Sequence, residues 1–119
     1  MSLFSPLIVS IFIYFFLHTA IWFSINYQFT ENSDDRTSLM LCIMLAIPIS
    51  VSAFYATRFA YSHFQTAWEA KLFGFGIGYL VFPVLTWLYL NENPFTIKVI
   101  LSIILAFTIV GIQLFFPDS

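Results

Sequence analysis

LFGFGIGYLVFPVLTWLYLN, residues 72–91, runs for 20 residues without an Asp, Glu, Lys or Arg. A helix needs about 20 apolar residues to cross a hydrocarbon core about 30 Å thick. Three more charge-free runs surround it: Met1 to Thr30, the 21 residues from Thr37 to Thr57, and the 19 from Val99 to Pro117. One such run could be a buried helix of a soluble protein, but four in succession leave almost no polar sequence to face water. The runs are apolar all round and lack the alternation, over about 10 residues, that marks a transmembrane strand. Lipid offers the backbone no hydrogen bonds, so each span must satisfy its own as a helix. The sequence therefore predicts an all-α, polytopic membrane protein. It forms a single domain over residues 1–119, a four-transmembrane-helix bundle with helices at about 4–28, 37–60, 66–90 and 95–116.

Composition agrees. The 119 residues allow one domain at most. Apolar residues make up 61% and charged residues 8%, against about 25% charge in a soluble domain. A net charge of −2 excludes a nucleic-acid binder that works by neutralising phosphates. Cys42 is the only cysteine, which excludes an internal disulfide and any multi-cysteine metal site. No cofactor is implied. The N-terminal run lacks a basic n-region and is too long for a signal h-region, so no cleavable signal is expected.

The connections are short. Glu31-Asn32-Ser33-Asp34-Asp35-Arg36 is the one markedly polar stretch, and Ser33 or Asp35 is expected to cap helix 2. Ser62-His63-Phe64 reads as the turn into helix 3. Asn93 reads as the N-cap of helix 4, Pro94 as its first residue and Pro117 as its end. Basic residues do not decide orientation: Arg58 and Lys71 lie on the side of the termini, Arg36 and Lys98 on the other. The acidic residues tip the balance towards cytoplasmic termini. The tie itself leaves dual insertion open.

Candidate functional residues lie on helices 1 and 3. Tyr14, His18 and Trp22, spaced four apart, fall within about 80° of one helical face. An ionisable group at mid-span usually faces a bundle interior or a cavity. His18 is either a neutral ring hydrogen-bonded to another helix or a substrate or proton site. A metal site lacks support, since His63 is the only other histidine and no carboxylate accompanies it. Glu69 reads either as an ion-pair partner of Arg58 or as a gating or substrate-binding acid. Gly74 and Gly78 form a GxxxG pair that permits close helix packing, within one chain or between two. Pro48 and Pro83 interrupt helices 2 and 3. Tyr79 and Thr86 flank Pro83 and are expected to point inward with it. No nucleophile–base–acid constellation is present, so the chain is not expected to be an enzyme.

The order of these features resembles the drug/metabolite transporter superfamily over about residues 14–116, most closely its four-helix members. Leu88-Tyr89-Leu90-Asn91-Glu92, then Pro94 and an apolar helix with Gly111, is similar to that superfamily's ending, with Asn91 in place of a glycine. Ala60-Tyr61 and Gly74-Phe75-Gly76-Ile77 resemble stretches of the small multidrug resistance proteins, with Leu72-Phe73 where those carry Trp-Ser. Arg58-Phe59-Ala60-Tyr61 and Ala20-Ile21-Trp22 resemble an uncharacterised four-helix branch. The resemblance implies a bacterial inner-membrane protein that moves a small molecule as a homodimer; Tyr14, His18, Trp22, Glu69 and Tyr79, read from their own positions, are the candidate substrate-binding residues. Small multidrug resistance proteins use a mid-helix-1 glutamate for proton exchange. This chain has none between Met1 and Thr30, so that mechanism does not carry over: if the chain transports, the chemistry is different or the acid is Glu69. The competing expectation is a non-catalytic accessory subunit that packs into a larger membrane complex. The expected partners are the lipid bilayer and either a second copy or that complex.

Overall fold

A computed structural model describes residues 5–116. Four helices cover most of that length: α1 Pro6–Asn26, α2 Asp35–Phe64, α3 Ala67–Leu90 and α4 Ile97–Phe115, with a 3-10 turn Tyr27–Phe29 extending α1. All four are long and apolar enough to cross a membrane, and no strand occurs among the described residues.

Local chemistry sets the ends. Ser5 caps α1 through Ile8 N, with Pro6 at the first helical position, where its missing N–H does no harm. Asp34, and neither Ser33 nor Asp35, caps α2: its Oδ1 accepts from Thr37 N at 2.7 Å. The Ser33 hydroxyl is turned back on Gln28 O and Thr30 O, and Asp35 is the first helical residue, where an acid suits the helix dipole.

The expected turn at Ser62-His63-Phe64 is helical. α2 runs four residues past the predicted end at 60 and stops at Gln65, which takes the left-handed conformation (φ 68°) with its N–H on Tyr61 O. Thr66 then opens α3 as its N-cap. It accepts from Glu69 N at 3.2 Å and places its hydroxyl on Glu69 Oε1 at 3.1 Å.

α4 begins later than predicted. Asn93 Oδ1 accepts from Phe95 N in a local turn, Pro94 stays outside the helix, and Thr96 is the cap. α4 ends at Phe115. Pro117, expected to end it, lies outside the described residues.

At about 1.5 Å per residue, the 30 residues of α2 reach about 45 Å, more than the hydrocarbon core. Its last turns, with Arg58 and His63, therefore extend to the interface. The two-residue link Gln65–Thr66 makes α2 and α3 an antiparallel hairpin. α1 and α3 run parallel, since Tyr14 meets Ala70 and His18 meets Gly74. α1, α2 and α3 form the bundle proper, while α4 packs mainly on α3. The core joins Tyr14 and Leu17 to Ala56, Ala60 and Phe64 of α2 and to Ala70, Phe73, Ile77 and Val81 of α3. Its fully buried alanines let the backbones approach closely, the main source of cohesion where lipid removes the hydrophobic drive.

Candidate functional site

The site is built on the seam between α1 and α3. Steps of four residues on α1 meet steps of four small residues on α3. Tyr14 Oη donates to Ala70 O at 3.2 Å and His18 Nε2 lies 2.8 Å from Gly74 O. Higher up, Trp22 Nε1 donates to Thr86 Oγ1 at 3.0 Å. The rings occupy the space that side chains at the glycines would need. A Cβ on Gly74 would stand 2.6 Å from the Tyr14 ring, and one on Gly78 would stand 2.7 Å from Cε1 of His18 and 2.8 Å from its Nδ1. The GxxxG pair is thus a pair of aromatic slots within one chain. Tyr14 and His18 stack with centroids 6.1 Å apart, and Phe73 meets Tyr14 edge-on.

His18 sits about 18 Å along α1 from Pro6, near the middle of the span. A carbonyl only accepts, so Nε2 carries the ring hydrogen and Nδ1 of the neutral ring is a bare acceptor. His18 makes no second hydrogen bond among the described residues. The only fully buried side-chain polar atom without a partner among them is Ser38 Oγ, so Nδ1 is accessible rather than sealed in the core. His18 borders an open groove of about 310 Å³ whose other walls are Phe75, Gly78, Tyr79 and Phe82. Phe75 and Tyr79 stack edge-to-face at 4.9 Å.

The predicted site residues divide. Tyr14, His18 and Trp22 share one face of α1, and all three reach α3. Thr86 is buried and turned inward, as expected. Tyr79 is 44% exposed, because its ring lies along Phe75 in the groove wall instead of pointing inward with Pro83. Glu69 is drawn to the first turn of α3, where it and Thr66 form the capping pair. The Arg58 guanidinium lies over the Phe54 ring, 6.0 Å from its centroid.

Phe75 and Phe82 are groove residues beyond those expected from the sequence. Together with Tyr79 they recur at helical spacing, a signal legible in the residues themselves. Thr66-Ala67-Trp68-Glu69 likewise carries the capping-box pattern. No three His, Cys, Asp or Glu side chains converge to hold a metal among the described residues. Outside the spans, hydrogen bonds from the Thr37 backbone and side chain hold the Asp34 carboxyl below the usual aspartate range.

Comparison with family models, with curated proteins and with solved structures returns no match to this chain.

Proposed function

We propose that this small membrane protein binds a small, largely apolar molecule in the groove between α1 and α3 and carries it across a bacterial inner membrane, working as a homodimer with cytoplasmic termini. One observation carries the reading: His18 holds an accessible, unengaged acceptor at mid-span, on the border of an aromatic groove. Ionisable residues within spans are rare and mark functional positions by default. The groove is open, and a second copy is proposed to close it. The sequence resemblance to four-helix drug/metabolite transporters points the same way, with neutral His18 chemistry in place of a proton-exchanging glutamate. No enzymatic step belongs to this reading.

A specific observation favours the accessory-subunit alternative: Tyr14, His18 and Trp22 each give a donor to α3, which is what a purely structural stripe does. Uptake into proteoliposomes separates the two. A panel of uncharged phenols, indoles and aromatic amines should include a solute taken up above the level of empty liposomes. That uptake should be lost in a His18→Ala protein that still folds. Equal uptake by parent and variant contradicts the transport role of His18. Recovery in fixed ratio with unlike chains, with no uptake of any solute, favours the subunit.

A further inference from the structure

We infer that the groove beside His18 selects an uncharged molecule with a one- or two-ring apolar body and a single hydrogen-bond donor, a phenol or indole type, which donates to His18 Nδ1. This rests on the binding role proposed above and names its ligand class.

Three features of the site argue for that class. The first is the acceptor. Nε2 is fixed as a donor by Gly74 O, so the neutral ring cannot present N–H to a ligand from Nδ1 without giving up its bond to α3. Nδ1 is accessible and unpaired, and lipid tails carry no donor to satisfy it. An acceptor left unmade in an apolar setting is costly, so a ligand that supplies a donor gains where one without it does not. The second feature is charge. The lining of His18, Phe75, Gly78, Tyr79 and Phe82 contains no carboxylate, Lys or Arg. A cation would enter unneutralised and be repelled by Lys71, whose charge acts on His18, and an anion would find no charged group in the lining itself; an apolar setting penalises both. The third is size and shape. About 310 Å³ is at the small end of ligand pockets. Three aromatic side chains at helical spacing offer edges and faces to a flat ring. Gly78 matters here: without a side chain it admits the His18 ring, whose Cε1 and Nδ1 edge lies against α3 at that position, where any side chain would cover Nδ1.

The test uses the full chain in lipid nanodiscs, labelled with 15N-histidine. His63, exposed near the end of α2, is the internal control. The probes are 4-fluorophenol and 4-fluoroanisole, which share a ring but differ in the donor. The expected result is a saturable shift of the His18 Nδ1 resonance with 4-fluorophenol, none with 4-fluoroanisole, and none at His63 with either. Phe82→Ala touches no hydrogen bond, so the probe-free His18 spectrum should be unchanged while the affinity for 4-fluorophenol falls about three- to tenfold. Equal or non-saturating responses to the two probes would overturn the inference, because they report partition into lipid. A probe-free Nδ1 already hydrogen-bonded by a second copy would overturn it as well. The transport reading fails separately: 4-fluorophenol binding without uptake of any solute rejects transport and keeps the ligand class. His18-dependent uptake without 4-fluorophenol binding does the reverse.

Discussion

α3 carries three glycines at alternate positions, and they serve two different contacts. Gly74 and Gly78 face α1, where each receives an aromatic ring and where helix carbonyls accept hydrogen bonds from Tyr14 and His18. Gly76 faces α4, where a Cβ would stand 2.6 Å from Val110 Cγ2 and 3.3 Å from Ala106 O. The α4 hydroxyls of Ser102 and Thr108 donate to Lys98 O and Ile104 O of their own helix and do not reach across. Ala106 is the one buried residue of α4. The difference shows that the same residue type, two positions apart, can build a directional seam on one face and a plain van der Waals contact on the other. Interhelical hydrogen bonds in membranes average about 0.6 kcal/mol, so the three at α1–α3 contribute about 2 kcal/mol together. Their larger effect is to fix register.

The largest effect should come from filling the slots. Gly74→Leu or Gly78→Leu drives a side chain into a hydrogen-bonded ring. Overpacking of this kind costs about 1–3 kcal/mol, and the upper end is expected because the Tyr14 ring is buried and cannot retreat. Unfolding in sodium dodecyl sulfate followed by circular dichroism reads this. A parent-like midpoint for both variants would break the comparison. Gly76→Ala should cost less, since the Val110 methyl can rotate away and only the backbone oxygen at 3.3 Å resists.

Next in size is the upper end of the seam. Trp22→Phe leaves the buried Thr86 hydroxyl without its donor and should destabilise by about 1 kcal/mol. A double-mutant cycle with Thr86→Val should show that most of this loss is shared. Additive losses would mean that the pair does not interact. Gly111→Ala, by contrast, meets nothing within 4 Å and should leave the same midpoint unchanged. A clear loss there would reveal an α4 contact outside the single chain.

The smallest effect concerns Asp34. Its carboxyl titrates below the usual range because the charged form accepts from the Thr37 N–H and hydroxyl. A depressed folded value means that its contribution is present above the unfolded value and is lost as pH falls through the folded one. Amide exchange in the first turn of α2 should therefore rise on acidification below the aspartate range, and the rise should be absent in Asp34→Asn. Exchange that responds equally in both proteins would assign the effect elsewhere.

The spans were legible because length and freedom from charge are sufficient signals for a helix in lipid. The face shared by Tyr14, His18 and Trp22 was legible from a spacing of four. What faces it was not, because GxxxG states that something approaches closely without stating what. Cap positions slipped because Ser33, Asp34 and Asp35 are all good caps and sequence alone does not rank neighbours. The α2 end was misplaced because Ser62 and His63 are polar, yet at the interface polar residues continue a helix without cost. The groove is not legible in the sequence because Phe75 and Phe82 are two of sixteen phenylalanines and carry no distinguishing chemistry of their own.

The central claim is that His18 is tied to α3 by Nε2 and keeps Nδ1 free at mid-span. Nitrogen-15 spectra of histidine-labelled protein in nanodiscs, without any added probe, test it directly. The account predicts a neutral His18 ring with hydrogen on Nε2, a bare Nδ1, and loss of the Nε2 hydrogen-bond signature in Gly78→Leu. Hydrogen on Nδ1, or a His18 ring whose spectrum is indifferent to Gly78→Leu, would contradict it.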